Sequence, residues 1–178
     1  MDLSQALRMV SRSDAGMVRS HNEDAVFFNA AQGMAILADG MGGYNAGEVA
    51  SGMATTLLGS ELEKAFQKAG PHQVDVSGKL HSHGVLEAEI ARANTAIYQA
   101  AQSQPQYAGM GTTLVVALFY DNMLTVAHIG DSRLYRLRGD EFHAVTRDHS
   151  LLQEQIDSGM ITAEDARHSQ NKNLVTRA

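Results

Sequence analysis

The sequence contains no cysteine among its 178 residues. Disulfide frameworks, thiolate zinc sites and cysteine nucleophiles are excluded together, and the composition fits a reducing compartment. Basic charge is also scarce: 14 Lys and Arg stand against 20 Asp and Glu, a net charge of -6. That balance lacks the basic face of a general nucleic-acid binder. It is compatible with a cation site, although surface carboxylates alone give the same total. No apolar run approaches the ~20 residues that a membrane helix needs. Met1 to Val10 mixes Asp2, Gln5 and Arg8 with apolar residues, so no secretory hydrophobic region is expected there. Internal repeats are absent. So is a Gly-x-x-x-x-Gly-Lys-Ser/Thr loop, which argues against a Mg²⁺-dependent nucleotide-binding protein. The expectation is a soluble, cytoplasmic chain that partners neither nucleic acid nor membrane.

Hydrophobic residues make up 44% of the chain, enough to fill the core of one domain. Arg8 to Ser13 reads as a short first strand. Ala25 to Asn29 and Met34 to Ala38 read as a hairpin, the second strand running directly into Asp39. The period then changes: Ala46, Val49, Ala50, Met53, Ala54, Leu57, Leu58, Leu62, Ala65 and Phe66 have helical spacing. Gly70 to Ser82 reads as a linker, followed by an amphipathic helix through Leu86, Ile90, Ala93, Ile97 and Ala101. Thr112 to Tyr120 is an almost unbroken β-prone run, expected as a central strand buried on both faces. Met123 to Ile129 returns across an Asp121-Asn122 turn. Gly139-Asp140 separates a further hairpin pair, and a short helix is expected at about Leu151 to Asp157 in an otherwise irregular polar segment. Runs of strands around a block of two helices predict an α+β fold with antiparallel sheets and helices packed outside.

Three acidic clusters stand at strand ends: Arg19-Ser20-His21-Asn22-Glu23-Asp24, Asp39-Gly40-Met41-Gly42-Gly43 and Gly130-Asp131-Ser132-Arg133. A carboxylate placed directly after a buried strand is rigidly held, and glycine lets the backbone bend a carbonyl toward a ligand. Mg²⁺ and Mn²⁺ favour such oxygen donors, so Asp39 with the Gly40 carbonyl is a candidate cation site. The other reading is a Gly-rich turn that caps the next helix. Asp24 adds a carboxylate, and Arg19 carries a planar fork that suits phosphate. Taken alone, each of these has a plainer reading: Glu23 and Asp24 pairing with surface bases, and Asp131 pairing with Arg133.

In order, Arg-x-x-Asn-Glu-Asp, Asp-Gly-Met-Gly-Gly, Gly-Met-Gly-Thr-Thr and Gly-Asp-Ser-Arg, together with Thr146-Arg147-Asp148-His149-Ser150, resemble a bacterial member of the metal-dependent PPM (PP2C-type) protein Ser/Thr phosphatases. The resemblance runs from about Val10 to the last residue. It implies a four-layer α-β-β-α sandwich with two antiparallel sheets, and hydrolysis of phosphoserine and phosphothreonine on proteins, opposing a Ser/Thr kinase. It implies two or three Mn²⁺ or Mg²⁺ ions. Asp39 would bridge two of them, the Gly40 carbonyl would bind one, Asp24 would reach them mostly through water, and Asp131 would help hold a third. Arg19 would bind the substrate phosphate, and a water activated by the metals would attack phosphorus directly. Thr112 and Thr113 would be packing residues. Met41 stands where some eukaryotic members carry a histidine proposed as general acid. His21, His128 and His149 are candidates for that role by position, with a structural or exposed histidine as the plainer reading of each.

The resemblance implies a single domain over 1–178, with a flap beside the active site over 148–172. In the family, the stretch ending at Ala178 leads into further strands that carry at least two more metal-binding aspartates. The fold is therefore expected to be incomplete at its C-terminus, and the site to bind metal weakly. The alternative function is a non-catalytic regulatory or scaffold relative that binds a phosphoprotein partner.

Overall fold

The computed structural model describes residues 2–43, 46–171 and 174–178. The α+β expectation holds, with two antiparallel sheets and helices outside. β1 (Asp24–Asn29) and β2 (Met34–Met41) form the first hairpin. β3 (Gly111–Thr112) pairs with the end of β2, and β4 (Leu114–Tyr120) pairs with its beginning. β5 (Met123–Ile129) closes the sheet beyond β4, giving the order β1-β2-β4-β5. Asp121 adopts φ 49° in the turn between them, a left-handed conformation that aspartate tolerates.

Helix α1 (Ala46–Lys68) lies across β1 and β2, and α2 (His81–Ser103) packs beside it. The buried face of α1 is lined mainly by small residues, Ala46, Gly47, Ala50, Ser51, Ala54 and Thr55, which bring the helix close to the sheet. Farther along, Leu58 and Leu62 meet Met34, Ile36, Leu86, Val116 and Leu118 in the core. β4 is buried on both faces, as its unbroken apolar run predicts. Met34, Ile36 and Ala38 face the core while Leu37 and Asp39 face outward, the period-two alternation of a half-buried strand.

β6 (Tyr135–Arg138) and β7 (Glu141–Ala144) form a separate two-stranded sheet, on which the rings of Tyr135 and Phe142 stack. Helices α3 (Leu151–Asp157) and α4 (Ala163–His168) follow.

Two expectations need correction. Arg8 to Ser13 forms no strand: the segment is irregular and mostly exposed, and among the described residues no neighbouring strand offers it a ladder. Helix α4 was not expected. Thr162 and Asp165 form a reciprocal capping box that starts it, a signal present in Thr162-Ala163-Glu164-Asp165.

Candidate metal centre

β2 continues two residues past Asp39, so the acid sits within the ladder, before the glycine turn. Asp24 lies directly opposite Asp39 in the β1–β2 register, which projects both carboxylates from the same face. The Asp39 backbone is pinned from the other side. Its N–H donates to Thr113 Oγ1 at 3.1 Å. Its carbonyl accepts from the Thr113 N–H at 2.9 Å and from Thr112 Oγ1 at 3.0 Å. Thr112 and Thr113 are buried, so they pack as expected from the sequence and also hold the acid in place.

Gly40 faces α1. A Cβ there would lie 2.0 Å from the Gly47 carbonyl oxygen, so strand and helix touch backbone to backbone. The Gly40 N–H donates to the Glu23 carbonyl at 3.0 Å, and Ser51 Oγ donates to the same oxygen at 2.6 Å. The Glu23 side chain is only 11% exposed and sits against Gly47, with Arg19 Nη1 at 3.2 Å and His21 Nε2 at 3.9 Å. Glu23 is the residue whose place sequence reasoning missed. The available signal was the period of two: a chain that turns Asp24 outward turns its predecessor inward. Arg19 is itself exposed and lies beside the acids through this ion pair.

Asp131 follows β5 through Gly130, which has φ +97°. Arg133 does not pair with Asp131, as the plainer reading required. Its Nε and Nη2 grip the two oxygens of Asp148 at 2.7 and 2.5 Å, which leaves Asp131 with no ion pair among the described residues. The Gly130 N–H donates to His149 Nδ1 at 3.1 Å, so His149 carries its hydrogen on Nε2. His128 stacks on that ring at 4.7 Å and holds the Arg147 carbonyl through Nε2 at 2.7 Å. Partial burial, then the facing His128 ring, keep His149 below the usual histidine range. Both imidazoles thus fasten the end of β5 to residues 147–149.

Partial desolvation pushes the Asp39 carboxyl up to about 6, with repulsion from Asp24, a hydrogen bond shared with Asp24 and the field of Asp131 acting in the same direction and Arg19 opposing them. Asp39 also keeps an exposed edge, which limits the size of the effect; its direction rests on carboxylates crowded at one end of the sheet. A hard divalent cation relieves that crowding, and the oxygen donors fit one. Among the described residues no three His, Asp or Glu side chains converge as a finished cage, so the fit is to an open site. A proton on Asp39 competes with the cation. Mn²⁺ affinity measured by calorimetry is therefore expected to fall as pH drops through about 6, by up to about tenfold per pH unit below it. An affinity flat between pH 7.5 and 5 would remove Asp39 from the ligand set.

His149 is joined to Gly130, beside Asp131, and the chain after it forms α3 and α4. Ser150 caps α3 by accepting from the Gln153 N–H, and the Leu151 N–H donates to the Leu174 carbonyl at 2.9 Å. Lys172, at the end of the expected flap, lies outside the described residues.

An α+β fold with an acidic centre at the end of its main sheet is the class that these elements define. The sequence model of protein phosphatase 2C matches residues 17–171, and the chain belongs to that family. It is 40% identical over 172 residues to the serine/threonine protein phosphatase PstP of Mycobacterium tuberculosis, covering 97% of this chain and 31% of PstP. It is also 40% identical over 169 residues to the protein phosphatase PhpP of Streptococcus pneumoniae, covering 93% of this chain and 65% of PhpP. A crystal structure of M. tuberculosis PstP superposes with a TM-score of 0.80 at 38% identity, over 94% of this chain and 65% of that one. The PstP catalytic domain in complex with two manganese ions superposes at 0.71, with 39% identity, over 87% of this chain and 61% of that one. The chain thus spans about a third of PstP and about two thirds of PhpP.

Proposed function

We propose that this chain carries part of the active centre of a metal-dependent protein Ser/Thr phosphatase. The observation that supports the reading most is the placement of Asp24 and Asp39 as register partners on one face, within the field of Asp131. Asp24, Asp39 and the Gly40 carbonyl are the groups to hold two Mn²⁺ or Mg²⁺ ions, and Asp131 those of a third. When bound, such cations lower the pKa of a coordinated water toward neutrality and so supply the nucleophile. The chain's own residues do the rest. Thr112 and Thr113 fix the Asp39 backbone. Arg19 is exposed and binds the substrate phosphate in place of its ion pair with Glu23. The substrate is a phosphoserine or phosphothreonine protein, the counterpart is a Ser/Thr kinase, and the place of action is the cytoplasm. Residues 148–172 act as a flap beside the centre. No helix among the described residues is long and apolar enough to cross a membrane.

Phosphate release from a phosphothreonine peptide in Mn²⁺ tests this. Turnover is expected to require the metal. Arg19→Ala is expected to lower kcat/KM about tenfold to hundredfold, the loss of ~1.5–3 kcal/mol from a charge-assisted contact. The second reading is a non-catalytic relative that binds a phosphoprotein, and the absence of a finished cage among the described residues favours it. Peptide binding without Mn²⁺-dependent turnover would select that reading.

A further inference from the structure

Thr113 touches both acid-bearing segments at once. It is 3% exposed. Its Oγ1 accepts the Asp39 N–H at 3.1 Å and lies 2.7 Å from Oγ of Ser132, the residue after Asp131. Its own N–H returns to the Asp39 carbonyl at 2.9 Å. Its Cβ and Cγ2 fill the space over Gly130, where an added Cβ would stand 2.7 Å from either. The direction of the hydroxyl bond follows from counting donors. The Asp39 amide occupies one lone pair of Oγ1, and a buried hydroxyl hydrogen needs an acceptor, so Thr113 donates and Ser132 accepts. Thr112 differs: among the described residues its hydroxyl reaches only the carbonyls of Asp39 and Thr113.

We propose that Thr113 is the positioning residue of the acidic centre, its hydroxyl and its methyl group together fixing the spacing of Asp39 and Asp131 for a hard divalent cation. The proposal rests on the cation-binding reading of the centre and adds the side chain that sets its geometry. The hydroxyl ties the Asp39 backbone to Ser132, and the methyl seats the Gly130 turn. Both contacts act on backbone next to the acids, so they set where the carboxylates start without touching a ligand. Supporting groups of this kind tune metal affinity while leaving the ligand set unchanged.

Three variants separate the contributions. Thr113→Val keeps the shape and loses the hydroxyl, Thr113→Ser keeps the hydroxyl and loses the methyl, and Ser132→Ala removes only the far partner. In the metal-free chain, amide exchange at Asp39 is expected to quicken about fivefold to tenfold in Thr113→Val, the loss of one hydrogen bond. In the same variant Mn²⁺ affinity is expected to fall about tenfold to hundredfold, with Tm held within about 4 °C of the parent. Thr113→Ser is expected to bind Mn²⁺ between the two, about threefold to tenfold below the parent, since the hydroxyl tie survives and the methyl seat on Gly130 is lost. Ser132→Ala is expected to weaken Mn²⁺ binding while Asp39 exchange stays at the parent rate. If Thr113→Val exchanges at Asp39 like the parent, or binds Mn²⁺ as tightly, the proposal alone is overturned. A parent chain that binds no Mn²⁺ overturns the cation reading and the proposal with it.

Discussion

Gly40→Ala is expected to destabilise the fold by more than about 3 kcal/mol, beyond the usual range for overpacking. The new Cβ would stand 2.0 Å from the Gly47 oxygen, 2.4 Å from the Gly47 carbonyl carbon and 2.8 Å from the Glu23 oxygen. All three are backbone atoms, so no rotamer change makes room. Relief requires α1 to move away from β2 by more than about 1 Å, to reach an ordinary contact distance. That movement would open the small-residue face of the helix along Ala50, Ala54 and Leu58. It would also break the Ser51 bond to the Glu23 carbonyl. Urea unfolding followed by circular dichroism measures the loss. Gly52→Ala is the control: nothing lies within 4 Å of a Cβ there, and the residue is inside α1. Alanine at that position is expected to be neutral or to add up to about 1 kcal/mol, by helix propensity. A Gly40→Ala midpoint equal to the parent's would mean that strand and helix are not in backbone contact.

Asp39→Asn is expected to move stability in opposite directions with and without metal. The Asp39 carboxyl is pushed from 3.8 to about 6 in the folded chain. Between those values the folded state keeps a proton that the unfolded state has released. Stability therefore falls as pH rises through that window, and the whole penalty is present above it. Asparagine carries no charge and escapes the penalty. Screening at the exposed edge limits the gain to roughly 1 kcal/mol. At pH 7.5 without metal, Asp39→Asn is thus expected to melt about 2–4 °C above the parent. The two are expected to converge below pH 4. In Mn²⁺ the order reverses: the parent gains about 2.7 kcal/mol at a hundredfold excess over Kd. The variant, without the proposed Asp39 ligand, is expected to bind more than about a hundredfold more weakly. Calorimetric melting at the two pH values, with and without Mn²⁺, reads all four states. A variant that melts below the parent in the absence of metal would show that Asp39 is not under charge strain.

Much of the fold is written in local periodicity. The first hairpin, both long helices, the buried run of β4 and the turn at Asp121 follow from residue spacing that packing reinforces. Arg8 to Ser13 misled because β-prone residues make a strand only beside a partner. Helix α4 was missed because its start is marked by two polar side chains, Thr162 and Asp165, while its helical face buries little. Asp24, Asp39 and Asp131 were legible as strand-end acids, and their order made the family recognisable. What spacing could not supply was the third dimension: that Arg133 reaches Asp148 and not Asp131, and that Thr113 joins two acidic segments far apart in the chain. Each is a long-range contact with no local signature.

The alternation along β2 also bears on which sequence changes the chain tolerates. Met34, Ile36, Ala38 and Gly40 face the core, while Leu37 and Asp39 face outward. One inserted or deleted residue between Gly33 and Asp39 would exchange the two sets on part of the strand, turning Asp39 toward α1 or breaking its register with Asp24. Single substitutions at the outward positions change only what they replace. The number of residues between that turn and the acid is therefore the more constrained quantity.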